Sequence, residues 1–379
     1  MTVRAADVIV VGAGIVGSLV ARNLGQLGFD VLVIEGDQIA AGASGGIGMR
    51  GLRATGRDIR ELPLAARSHA LWADLNDELH LDPGTIQNVG LVTLVDPAGG
   101  GGWLPRMDLD AIIAVHAAFD IPLSLLHGQE ISDRVGAQVQ GANVALYAER
   151  DGIGDHTAIT TAIAEDAQKK GAQVVEGHPV IKVEDDGFST TVWLQNGETY
   201  TGKKGCVVTT NTSVRELLLG SFAVDLPIGF AVPMYGILRP VRAFEITTLV
   251  EDSTRRFALK SIGDNRVMLS GEGRGRWTES GASSDIGAFG LKLADLVARF
   301  PQLHDAEIEI VDASRPEATT YDGVPIIDRV PGAENVVFAT GWCGHGFMIA
   351  PAVAEALTSW IVSGSQPALL RPLALNRFR

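Results

Sequence analysis

Three glycines near the start of the chain are the first residues whose spacing suggests chemistry. Gly12, Gly14 and Gly17 form G-x-G-x-x-G, with Ile15 and Val16 before the third glycine. The first glycine permits a tight turn, the second lets a pyrophosphate approach the backbone, and the third lets a helix pack closely on a strand. Glu35 stands about twenty residues on, where a carboxylate can accept ribose hydroxyls. A second glycine-rich stretch, "ATGWCGHGFM" (339–348), lies near the other end. Two such turns in one chain suggest one long ligand held at both ends. His345 has the chemistry of a base, but a structural or ligand-contacting role suits it better. Cys343 and His345 are too few to hold a metal, and no second cluster accompanies them.

The surrounding text supplies elements that can position these residues. "DVIVV" reads as a buried parallel strand, "IVGSLVARNLGQLG" as a helix closed at Gly28, and "DVLVIE" as a second strand. Together they form a βαβ unit with the glycines at its first turn. A helix is expected over 60–80, a strand over 88–96 and a flexible loop over 97–102. A helix follows over 156–171, then strands with Asn196-Gly197 as a hairpin signal and a buried strand over 205–211. Strand-rich text occupies about 221–310, with "GAFGLKLADLVARF" as a helix. The late turn sits between the strand "ENVVF" and the helix "IAPAVAEALTSWIV". The fold class is α/β with α+β mixing: a Rossmann-like domain beside a second, mostly antiparallel sheet domain. The expected division is 1–85, 150–220 and 311–379 for the nucleotide domain, and 86–149 with 221–310 for the substrate domain.

The totals narrow the functions available. The chain has 379 residues, 46% of them hydrophobic and 20% charged, as in a globular protein of about two domains. A net charge of −14 argues against nucleic acid, which needs a basic face. The two cysteines, Cys206 and Cys343, read as free thiols in a reducing cytoplasm. The glycine-rich N-terminus lacks a basic start with a cleavable apolar run and reads as a buried strand and not as a signal peptide. No uninterrupted apolar run reaches the roughly 18 residues of a membrane span.

Several segments together carry a family resemblance: "VIVVGAGIVGS", "GASGGIGMRGLR", "PLAARSHALWADL", "RPEATTYDGVPIID", "NVVFATGWCGHGF" and "LALNRF". Through them the chain resembles, nearly end to end, the D-amino-acid-oxidase-like FAD superfamily, and within it the monomeric sarcosine oxidase branch. The resemblance implies FAD as cofactor. Its pyrophosphate would lie at the first glycine turn with Ser44 and Gly45 nearby, and Val180 would meet the adenine. Gly341, Gly344, His345, Gly346, Phe347 and Met348 would lie against the isoalloxazine ring. It further implies oxidation of a small primary or secondary amine or amino acid. A hydride passes to flavin N5, the imine hydrolyses, and O2 is reduced to H2O2.

The departures from the family pattern are as informative. A covalent tether in that branch uses a cysteine where Arg315 stands, so FAD is expected without a covalent link. Arg53 matches the arginine that holds a substrate carboxylate, with Arg50 a step away. The lysine that assists Arg53 is replaced by Met348. Met268 stands at the lysine associated with O2 activation, and Lys260 on a neighbouring strand can compensate. Glu272 and Glu317 replace a histidine and a tyrosine of the pocket, which suggests a substrate with a cationic group or an amine lacking a carboxylate. Asn211 replaces a glycine, and asparagine tolerates a left-handed backbone. Two other readings stay open: a flavin dehydrogenase or 2-hydroxy-acid oxidase on the same scaffold, and a catalytically silent FAD-binding subunit. A monomer or small oligomer is expected.

Overall fold

The computed structural model describes residues 4–44, 48–95, 108–271 and 274–378. The loop expected over 97–102, and Gly45 and Glu272, lie outside the described residues.

Two eight-stranded sheets dominate the fold. The first has a parallel core in the order Gln173–Val175, Val31–Ile34, Arg4–Val11, Thr199–Val208 and Val336–Thr340. Thr199–Val208 forks. Its first half pairs antiparallel with Thr190–Leu194, its second half pairs parallel with Val336–Thr340. Val180–Asp185 extends the first branch and Ile326–Arg329 the second, both antiparallel. The unbroken run "VIVV" is explained by two-sided burial. Val8 and Val10 join a core with the helices Ile15–Gln26, His156–Lys169 and Gly346–Ser363. Ile9 and Val11 join a separate core on the opposite face, with Val214, Leu217 and Leu218.

The second sheet runs Glu307–Asp312, Tyr235–Arg239, Val267–Gly271, Phe257–Ser261, Leu249–Asp252, Leu91–Leu94, Val144–Ala148 and Ser124–His127. Leu249–Asp252 runs parallel to Leu91–Leu94, and the other described neighbours pair antiparallel. Alternation decides its two faces. Val250, Leu259, Val267 and Leu269 pack in a core with Phe289 and Leu296 of the helix Ile286–Arg299. The opposite face carries Leu249, Glu251, Ala258, Lys260, Met268 and Ser270.

A small sheet of Met49–Leu52, Gly152–Asp155 and Ile86–Gln87 carries Arg50. The helix Leu62–Leu79 packs on Gly346–Ser363 and repairs a defect in it. Pro351 sits inside that late helix and has no N–H to give to its ladder. Trp72 Nε1 donates to the Met348 carbonyl at 2.9 Å, and Ser68 Oγ accepts from the Ala352 N–H at 3.2 Å. By length and composition the late helix could cross a membrane, but 67% of that stretch is buried inside the fold.

Candidate active site

Four neighbouring parallel strands, Arg4–Val11, Val31–Ile34, Thr199–Val208 and Val336–Thr340, end at one rim of the first sheet. The residues just beyond their carboxyl ends line a cleft of about 520 Å3: Gly12 and Gly14, Glu35 and Gly36, Thr209 to Ser213, and Trp342 to Gly344. Ligands of open α/β sheets bind at this edge. The far wall of the cleft is the polar face of the second sheet, with Tyr235, Leu249, Glu251, Ala258, Lys260, Met268 and Ser270. The cleft therefore spans both sheets.

At the phosphate end the backbone explains the glycines. Gly12 has φ +101°, and a Cβ there would lie 2.9 Å from the Thr209 carbonyl oxygen. A Cβ on Gly17 would lie 2.0 Å from the Gly12 carbonyl oxygen, so strand and helix touch only because it is absent. Glu35 accepts the Ala13 N–H at 2.7 Å and the Asp37 N–H at 3.0 Å, which aims its carboxylate into the turn. Thr210 lines the same end with a buried hydroxyl that has no hydrogen-bond partner among the described residues. A helix N-terminus without a side-chain cap, glycines that bring backbone to the cavity, and an unpaired hydroxyl suit a dinucleotide. Ile15, Val16, Ser44 and Val180 also line the cleft.

At the other end the late turn is held open by strain that glycine relieves. Gly341 has φ +75° and Gly344 φ +84°, while Cys343, between them, adopts φ +52°. A Cβ on Gly346 would press on the Trp342 side chain at 2.8 Å, whereas one on Gly344 would meet nothing within 4 Å. Gly344, Gly346 and Phe347 line the cleft, and the helix Gly346–Ser363 starts there with no side-chain cap. Its first N–H groups and the positive end of its dipole suit the electron-rich edge of a flavin ring.

Buried charges cross-brace the substrate end. Asp151 is fully buried and accepts from the N–H groups of Ala54 and Thr55, the Thr55 hydroxyl and His69 Nε2. These donors hold its carboxyl below the usual carboxylate range against the opposing effect of burial. Arg57 Nε donates to the Arg53 carbonyl at 3.0 Å. The Arg53 guanidinium forms an ion pair with Glu251, which reaches it from the second sheet. His345 Nδ1 lies 3.0 Å from Glu61 Oε2, and burial lowers the imidazole's pKa, so it stays neutral. Glu317 faces the cleft. Burial raises its pKa against the hydrogen bonds from the Gly344 N–H and Ser44.

Lys260 is buried on this face, directly opposite Met268 on the next strand. Burial, with Arg50 and Arg53 nearby, lowers its pKa to about 7. Arg50 lies over the Tyr235 ring, and its Nη1 is 3.7 Å from Met268 Sδ. His156, absent from the sequence reading, also lines the cleft. Burial and the charges of Arg50 and Arg315 depress its pKa to about 3.

The structure thus gathers Gly12, Gly14, Ile15, Val16, Glu35, Ser44, Arg50, Arg53, Val180, Lys260, Met268, Glu317, Gly344, Gly346 and Phe347 around one cavity. Gly17, Gly341, His345 and Met348 stand behind its wall. Gly17 is pressed on the Gly12 carbonyl, a Cβ on Gly341 would meet Thr320, and His345 is turned to Glu61. Met348, at the position of the family's lysine, is 1% exposed and sits in the core with Trp72, outside the cleft lining. Glu251 and Asp151 escaped sequence reading. Each is an acid in or beside a short strand, and only the three-dimensional pairing reveals its partner.

A family model described as FAD dependent oxidoreductase (DAO) matches residues 7–360. N-methyl-L-tryptophan oxidase of Yersinia pestis (strain Pestoides F) is 26% identical over 387 residues, covering 98% of this chain and 99% of that protein. Among solved structures, glycine oxidase from Geobacillus kaustophilus matches with TM-score 0.81 at 21% identity, covering 99% of both chains. L-proline dehydrogenase from P. horikoshii matches with TM-score 0.85 at 22% identity, covering 99% of this chain and 98% of that one. These structures share the fold. The family match spans nearly the whole length, including both glycine turns and the sheet face opposite them, and the chain belongs to the DAO family of FAD-dependent oxidoreductases.

Proposed function

We propose that the cleft holds FAD without a covalent link and that the protein oxidises a small primary or secondary amine or amino acid. The product is an imine that water hydrolyses, and O2 is the electron acceptor, giving H2O2. The observation that carries this reading is one continuous cleft that joins the phosphate-type turn to an end lined by Arg53, Glu251, Lys260 and Glu317.

Bound FAD supplies the acceptor for two electrons and a hydrogen from the substrate's C–N unit. The chain's own groups do the rest. The turn Gly12–Gly17 and the helix behind it receive the pyrophosphate, Glu35 the ribose, and Val180 the adenine. Gly344, Gly346 and the late helix N-terminus steady negative charge on the ring edge, an effect of about 0.3–2 kcal/mol. Arg53 offers a two-pronged donor to a carboxylate. Lys260 takes the role that Met268 cannot fill, since the two face each other on adjacent strands. Neutral His345, tied to Glu61, positions the turn and is not the base.

Non-covalent attachment is supported by the thiols. Arg315 replaces the tethering cysteine, Cys206 is buried, and Cys343 has its pKa raised by burial, which suppresses the reactive thiolate. We read the chain as a discontinuous FAD domain (1–85, 150–220, 311–379) and a substrate domain (86–149, 221–310), in a cytoplasmic monomer or small oligomer. Acid precipitation of the purified holoprotein is expected to release all yellow colour to the supernatant. Colour kept in the pellet refutes the non-covalent reading. Anaerobic flavin bleaching with a panel of amines, amino acids and 2-hydroxy acids tests the reaction. Bleaching by hydroxy acids alone, or by nothing, refutes amine oxidation.

A further inference from the structure

His156 is a buried titratable group of the cleft that the proposed reaction leaves unused. It is 4% exposed and lines the cavity, and its Nε2 has no hydrogen-bond partner among the described residues. We propose that this nitrogen donates a hydrogen bond to the bound flavin ring and holds the reduced ring more tightly than the oxidised one. The inference rests on FAD occupying the cleft and is independent of which substrate is oxidised.

Local structure aims the imidazole. His156 opens the helix His156–Lys169, directly after the strand Gly152–Asp155. The Asp155 carboxylate accepts from the N–H groups of Thr157 and Ala158, which fixes the first turn. Nδ1 lies 3.1 Å from the Thr157 hydroxyl, so one ring nitrogen is anchored and the other is left for the cavity. The imidazole stands edge-on to Phe347 of the late turn, with centroids 6.0 Å apart. Arg50 lies opposite Gly154 on the adjacent strand, two residues from His156. These neighbours place His156 at the end of the cleft suited to the flavin ring, away from the phosphate turn.

Charge decides which way the bond runs. Burial and the charges of Arg50 and Arg315 bring the pKa to about 3, so the imidazole is neutral and is not a counter-ion. A neutral ring has one N–H and one acceptor nitrogen. In positive surroundings the ligand atom that gains most is electron-rich, so the N–H belongs on Nε2 and Nδ1 accepts from the Thr157 hydroxyl. A reduced flavin carries more negative charge on its ring than an oxidised one, and the same donor therefore binds it more tightly. Packing alone does not account for the residue. A phenylalanine would make the same edge contact with Phe347 without leaving a buried polar atom unpaired, which is costly.

Two substitutions separate the two nitrogens. His156→Asn keeps an amide near the Nδ1 position and leaves nothing at Nε2, whereas His156→Gln puts an amide near Nε2. The readouts are the two-electron potential of the bound flavin and the dissociation constant of oxidised FAD, with the thermal midpoint of the FAD-free protein reporting the fold. In His156→Asn the hold on reduced flavin should weaken about tenfold more than the hold on oxidised flavin, a fall in potential of about 30 mV. His156→Gln should recover at least half of that fall. An unchanged potential in His156→Asn, or equal falls in both variants, overturns the proposal. If either variant does not fold, wild-type protein labelled with 15N-histidine takes its place. The imidazole signal that Thr157→Val displaces should then shift when FAD is added to the flavin-stripped protein, and shift again when the flavin is reduced. A signal indifferent to both steps overturns the proposal and leaves FAD binding intact, whereas a wild type that takes up no FAD removes both.

Discussion

Lys260 is the residue whose chemistry turns most on its surroundings. In water its ammonium persists beyond pH 10, yet here burial and two nearby arginines bring the pKa to about 7. Below that value the group is charged, and above it neutral. Charging it inside the fold costs stability, so its contribution is full above the unfolded value, shrinks as pH falls from 10.5 and is lost below about 7. If the proposed oxidase reaction holds, a cation on this wall would assist transfer of electrons to O2, so peroxide formation is expected to slow as pH rises past about 7. Lys260→Met should lower peroxide formation at least tenfold and abolish that pH limb, while reduction of an artificial dye by the same substrate stays within twofold. Equal losses with both acceptors would remove Lys260 from the O2 step. At this scale the sequence was half legible. Glycines announce themselves because backbone geometry demands them, and Lys260 was found by its neighbour Met268. Glu251 was not, because "TLVED" reads as the end of an apolar strand and its partner Arg53 is far along the chain.

Among the elements, the first strand–turn–helix unit leaves the least freedom. The helix Ile15–Gln26 approaches the turn so closely that an alanine Cβ at position 17 would sit 2.0 Å from the Gly12 carbonyl oxygen. Backbone cannot yield there as a flexible side chain would, so Gly17→Ala should cost about 3 kcal/mol or more of stability. It should also pull the helix N-terminus away from the pyrophosphate. Flavin content after purification and the thermal midpoint are the measurements, and an alanine variant with full flavin and an unshifted midpoint would contradict the packing argument. The parallel strands were readable because burial on both faces leaves unbroken β-branched runs. The small sheet of Met49–Leu52, Ile86–Gln87 and Gly152–Asp155 was not. Strands of two to four residues, three glycines among them, show no period to read. The pairing of the two large sheets' faces across a cleft was likewise invisible, since it depends on which strands become neighbours.

Taken whole, the molecule closes one cleft with residues drawn from nearly its entire length, from Val11 to Phe347. A ligand that touches both ends binds the folded chain and not the unfolded one. FAD at a hundred times its dissociation constant should therefore stabilise the protein by about 2.7 kcal/mol. Thermal unfolding of the flavin-stripped protein against rising FAD measures this, and a midpoint independent of FAD would deny that the two ends are clamped together. The late helix adds a mechanical consequence to this picture. Pro351 gives no hydrogen bond and the Ala352 N–H goes to Ser68, so a neighbouring helix fastens the ladder where it is broken. Trp72 grips the first turn as well, through the Met348 carbonyl and edge-on against Phe347, so the end that faces the cleft is anchored from outside its own helix.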